Sequence, residues 1–184
     1  RVDDIITCLI AFFAFGLLSS STYVLNDLLD LEADRLHSRK KNRPLAAGAI
    51  SIKSALFTAL SLFLTSLVIA ISLGYEFALV LLSYLVLTLM YSLKVKQHVG
   101  MDVVALALLF TIRILAGAAA VSVAVSFWLL AFSIFVFLSL ALVKRCAEIK
   151  SMEVEGKQIA IGRDYNVSDY IVLTGFGTSS AMLA

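Results

Sequence analysis

Four polar residues close to the end of the first apolar run are spaced so that they could do chemistry together: Asn26, Asp27, Asp30 and Asp34. Steps of three and four residues stack side chains on one helix face, so the three carboxylates are expected to point at one spot. Left empty, like charges at that spacing repel one another, and a cation between them removes the repulsion. Magnesium is the expected occupant, because it prefers oxygen ligands and is usually held by one or two carboxylates together with substrate phosphates. Asp27, Asp30 and Asp34 are therefore the expected metal ligands and catalytic residues, and a diphosphate is the expected ligand. Arg35, Arg39 and Arg43 recur at four-residue steps just beyond, placed to take the phosphate oxygens that the metal does not neutralise. An amphipathic helix end entering water is the plainer alternative. It accounts for each residue singly, but not for short Asp side chains in register within the last turns of an apolar helix.

Arg113 stands near the middle of another apolar stretch, where a charge costs about 2.5 to 3.5 kcal/mol on insertion scales. A phosphate or other anion contact is expected for it, the alternative being an ion pair with Asp102 three turns away on the same helix. Asp102 follows Gly100 at a helix start, where it could equally cap free N–H groups or serve a site. Cys8 and Cys146 have no CxxC or His pairing and are read as small core residues.

The elements that must position these groups are set by composition. The 184 residues are 61% hydrophobic and 15% charged, with a mean hydropathy of +0.98, which excludes an ordinary soluble domain. A bilayer core about 30 Å thick needs roughly 20 apolar residues of helix. Runs of that length lie at about 4–28, 52–73, 76–93, 102–122 and 127–149, and a sixth starts near Ser168. Each should be helical, because lipid supplies no partners for backbone N–H and C=O groups. The first run is expected to be a true span and not a cleaved leader. Residues 1–184 are expected to form a single membrane domain, truncated at both ends, since the sequence starts at Arg1 and stops at Ala184 inside an apolar stretch.

Basic residues sort the connections. Lys and Arg collect after the first, third and fifth runs, whereas Gly74 to Glu76 and Val123 to Val125 carry none. The three charged loops should therefore share the cytoplasmic face, with the N-terminal end of the chain outside. The segment from Ser151 to Asn166, with Gly156, Gly162 and Arg163, could close as a lid or lie as a surface loop. Trp128 is expected to anchor at the interface.

The segment NDLLDLEADRLHSRKKNRPLAAGAIS resembles the first aspartate-rich motif of the UbiA superfamily of intramembrane prenyltransferases. The resemblance continues through Tyr91 to Lys96, the stretch from Asp102 through Arg113 to Gly117, and Lys144-Arg145-Cys146-Ala147-Glu148. It implies an all-α, polytopic transmembrane helical bundle of about nine helices, of which this chain would hold about six. It implies a Mg2+-dependent transferase in which a polyprenyl (di)phosphate meets the metal at the membrane surface, here with Asn26, Tyr91, Lys94, Lys96, Arg113, Lys144 and Arg145 among the phosphate-binding residues. The implied partners are the bilayer, a polyprenyl lipid and a diphosphate donor, with no nucleic acid, in a bacterial inner membrane with the site on its cytoplasmic side.

One departure from the family pattern narrows the reading. The second aspartate-rich motif is replaced by Lys144, Arg145 and Glu148, with Asp102 and Glu148 as a possible second acidic site. The KRxAE pattern looks like the branch that attaches phosphoribose to decaprenyl phosphate. The substitution has a physical rationale, because a separate lipid monophosphate is held directly by Lys and Arg. Phosphoribosyl transfer to a polyprenyl phosphate is thus favoured, the alternative being a 4-hydroxybenzoate-type polyprenyltransferase. A membrane transporter is the competing class, but its midplane acids and paired helix breaks are not evident.

Overall fold

The structure, a computed structural model, describes residues 2–37, 40–154 and 165–184. Its seven α-helices are α1 (Val2–Leu29), α2 (Leu31–Leu36), α3 (Ile52–Leu73), α4 (Tyr75–Leu93), α5 (Met101–Ala120), α6 (Phe127–Val154) and α7 (Asp169–Leu183), and no strand is found among the described residues. α1, α3, α4, α5 and α6 are long and apolar enough to cross a membrane. They match the five expected runs closely. α6 extends past the expected end at residue 149, where Lys150 and Glu153 pair at 2.7 Å three positions apart and support the helix beyond its apolar part.

The chain divides into two compact units, residues 1–85 with 119–122, and residues 86–118 with 123–184. In the first, α1 packs along α3 through small side chains: Ala11, Ala14 and Ser21 on one helix, Ala55, Ala59, Ser66 and Ala70 on the other, all buried. Small residues let the two backbones approach, and the approach is fixed by two reciprocal bonds. Ser21 donates to the Ala59 carbonyl at 2.7 Å, and Ser66 donates to the Ala14 carbonyl at 2.7 Å. Where lipid is as apolar as leucine, such packing and hydrogen bonding replace the hydrophobic effect as the source of helix association. The start of α4 adds Phe77, Leu81 and Tyr84 to this core, with Tyr84 at 4.4 Å from the Phe15 ring and its hydroxyl 3.0 Å from that of Ser19.

The second unit is built on α6 and α7. Ala141, Leu142, Ile149 and Met152 meet Leu173, Val103 and Tyr165. Gly177 allows α7 to come close, since a Cβ there would stand 3.4 Å from that of Leu142. Gly100, at φ +79°, turns the chain into α5, a conformation that costs glycine little. Cys8 departs from expectation: it is exposed, because a membrane helix is apolar on its outward faces as well, so an apolar neighbourhood does not imply burial. Trp128 is also exposed, in edge-on contact with Phe127.

Candidate functional site

The acidic face lies where α1 gives way to α2. Asp30 separates the two helices with φ −91° and ψ 6°, so the expected single helix is interrupted at the middle carboxylate. The hydrogen-bond ladder nevertheless runs through this break: Asp30 N–H donates to the Asn26 carbonyl at 2.9 Å and Asp34 N–H to the Asp30 carbonyl at 2.8 Å. The three-and-four register therefore survives. His37 then adopts an extended backbone and ends α2.

A turn beginning at Arg43 returns the chain to this helix end. It is closed by Ala47 N–H to the Arg43 carbonyl and Ala49 N–H to the Pro44 carbonyl, and it is anchored by buried Leu45. Arg43 Nη1 donates to Asp27 Oδ1 at 2.9 Å and to Asp34 Oδ2 at 2.7 Å. Asp34 is buried, and Lys40 Nζ lies 3.9 Å from its other oxygen. Asn26 Nδ2 donates to Asp30 Oδ2 at 3.2 Å. Arg35 Nε reaches the Ala46 carbonyl at 3.4 Å, tying α2 to the turn. Arg39 lies outside the described residues, as does most of the segment read as a lid.

Two carboxylates thus converge on one point, and a cation stands there. The expectation that these acids repel one another when no ion is bound is corrected for Asp27 and Asp34, since Arg43 relieves their repulsion from within the chain. Among the described residues no group of three His, Cys, Asp or Glu side chains is gathered as a metal cluster. The donor set still suits magnesium, because Asp27 and Asp34 already share one positive charge and Asp30 lies between them in register.

The second unit has its own charged centre. Asp102, at the start of α5 and fully buried, accepts from Arg145 and from the Tyr165 hydroxyl. Arg145 also donates to Glu148 one turn further along α6, and its guanidinium lies 5.0 Å from the Tyr165 ring centroid. The Tyr165 hydroxyl in turn accepts from Gly100 N–H at 3.0 Å. Burial, reinforced by its bond to Asp102, pushes the Tyr165 hydroxyl up to about 12. The ion pair weighed for Arg113 and the capping reading of Asp102 are corrected: the Asp102 carboxylate pairs with Arg145 on another helix, not with Arg113, and both of its oxygens are engaged by side chains. Arg145, expected on phosphate, has both terminal nitrogens on carboxylates, while its buried Nε has no partner among the described residues.

Of the other expected phosphate ligands, Lys94 and Lys144 are exposed, and Lys96 and Tyr91 are half-buried, Tyr91 within electrostatic reach of Arg145. Arg113 is exposed on α5 with its guanidinium 4.9 Å from the Phe110 ring centroid. Tyr165 was not foreseen from the sequence. Its one signal was an aromatic residue in a polar stretch directly before an apolar run.

A model of the UbiA prenyltransferase family matches residues 1–163. Similar curated proteins include nodulation protein NoeC of Azorhizobium caulinodans, 35% identical over 94% of this chain and 57% of its own length. Decaprenyl-phosphate phosphoribosyltransferase of Mycolicibacterium smegmatis is 34% identical over 95% of this chain and 55% of its own length. An uncharacterised protein of Sinorhizobium fredii is 42% identical over 92% of this chain and 33% of its own length. The chain therefore spans between a third and three fifths of these relatives. Among solved structures, a UbiA homolog from Archaeoglobus fulgidus bound to DMAPP and Mg2+ superposes with a TM-score of 0.77 at 19% identity, over 96% of this chain and 64% of the homolog. That likeness establishes the fold as the polytopic helical membrane architecture expected from the sequence.

Proposed function

The chain belongs to the UbiA prenyltransferase family, and from that premise we propose that it forms part of a Mg2+-dependent intramembrane transferase that moves a phosphoribosyl group from a diphosphate donor to a polyprenyl phosphate. The observation that carries this reading is the convergence of Asp27 and Asp34 on one cationic position at the end of a membrane-spanning helix, with Asp30 in register between them. Asp27, Asp30 and Asp34 would hold the metal, which when bound supplies positive charge against the departing diphosphate. Arg43 and Lys40 bring further positive charge to the same helix end, where diphosphate oxygens accept hydrogen bonds. Buried Leu45 fixes the turn that carries Arg43, so its guanidinium is aimed without ordering a free loop.

The acceptor assignment rests on α6. It carries Lys144 and Arg145 where an acid-rich second site would stand, and the similar phosphoribosyltransferases support the same choice. Lys144, exposed on α6, is the residue we assign to a lipid phosphate, while Arg145 is held by Asp102 and Glu148 beside it. The distribution of Lys and Arg favours the cytoplasmic side of the membrane for this site. A second reading, prenyl transfer from a prenyl diphosphate to another acceptor, has support in a digeranylgeranylglyceryl phosphate synthase of Sulfurisphaera tokodaii that is 35% identical over 105 residues.

Donor competition tests the choice. The protein in lipid nanodiscs, given Mg2+, polyprenyl phosphate and radiolabelled phosphoribosyl pyrophosphate, is expected to label the lipid. Labelling that comes only from prenyl diphosphate onto an aromatic acceptor would overturn the phosphoribosyl assignment.

A further inference from the structure

Arg43 is held in an unusual way for a residue expected to meet phosphate. Its contacts with Asp27 and Asp34 both use one nitrogen, Nη1, which the two carboxylates share. Its Nη2 and Nε have no partner among the described residues, and its side chain is 39% exposed. One edge of the guanidinium is therefore committed to the acids, and the half-exposed side chain has donors on its other edge that no described residue takes. Asp34, by contrast, has a side chain only 4% exposed, so removing its counterion without replacement would leave a buried charge uncompensated.

We propose that Arg43 is a displaceable counterion that couples metal binding to diphosphate binding. In the ligand-free protein it neutralises Asp27 and Asp34. A divalent ion arriving alone meets a carboxylate pair whose charge is already halved, and must push aside a guanidinium that has nowhere better to go. A metal diphosphate brings its own acceptor oxygens. Its oxygens engage Nη2 and Nε first, and Nη1 then leaves the two carboxylates as the metal takes its place. Positive charge is exchanged for positive charge at Asp34 throughout, so the buried carboxylate is never left bare. The same exchange makes metal and diphosphate raise each other's affinity by an equal factor, as linkage requires. The anchored turn at Leu45 lets the head of Arg43 move while its backbone stays fixed.

This inference rests on the metal-diphosphate reading of the acidic face, and the test separates the two. Mn2+ binding is measured by electron paramagnetic resonance on the nanodisc protein, with and without inorganic pyrophosphate, for wild type, Arg43→Gln and Arg43→Lys. In wild type, pyrophosphate is expected to tighten Mn2+ binding by about tenfold or more. In Arg43→Gln, Mn2+ alone should bind about tenfold tighter than in wild type, and pyrophosphate should add less than about threefold. Arg43→Lys keeps a charge and should retain part of the coupling, which guards against a folding defect in the glutamine variant. Equal coupling in all three proteins overturns the counterion role and leaves the site standing. Failure of wild type to bind Mn2+ with or without pyrophosphate overturns both.

Discussion

At the scale of single residues, the two charged centres differ in how fully they are closed. Asp102, Arg145 and Tyr165 pair with one another away from solvent, and a buried network of this kind is costly to break at one member. Tyr165→Phe leaves Asp102 short of a donor and Gly100 N–H without its acceptor, and should lower stability by about 1 to 3 kcal/mol in a denaturant titration. The pH dependence has a definite sign. Because the folded hydroxyl is raised from its ordinary value of 10.0 to about 12, its contribution is complete below pH 10 and is lost as pH rises from there through about 12. The phenylalanine variant should lack that alkaline loss, and an unchanged profile would show that the hydroxyl is not held as described. The sequence grouped Asp102 and Glu148 as a possible second site but did not show the bonds: Asp102 had a visible candidate partner on its own helix, whereas its true partners lie 43 and 63 positions away. Chain spacing exposes local pairs and hides distant ones.

At the scale of elements, the helices were legible and their faces less so. Run length alone placed α1, α3, α4, α5 and α6, because lipid enforces helix over any apolar stretch of about 20 residues. It could not show the break at Asp30, which interrupts the helix while its hydrogen-bond ladder continues, nor that Cys8 is exposed. The α1–α3 contact is read from small residues, and it makes a prediction of its own. Ala59→Leu should force the helices apart and cost about 1 to 3 kcal/mol. Ser66→Ala should cost only about 0.6 kcal/mol, the typical worth of one interhelical hydrogen bond in a membrane. Unfolding in mixed micelles measures both, and a larger loss from the serine change than from the leucine change would contradict the packing account.

At the scale of the whole molecule, a membrane helix end presents the acids while a tight turn presents Arg43 from the adjoining loop. The sequence showed the acids, their register and the nearby arginines, since all lie within 18 residues of one another in the chain, Asn26 to Arg43. It did not show that one arginine already occupies the convergence point, because that depends on how the turn folds back. The account as a whole stands on the acids serving a metal-bound diphosphate. The most direct measurement is Mg2+-dependent group transfer by the protein in membranes, wild type against Asp27→Asn with Asp30→Asn. The account predicts that the double variant loses transfer by about a hundredfold or more while the folded protein persists. Transfer retained near the wild-type rate, with the same dependence on Mg2+, would contradict it.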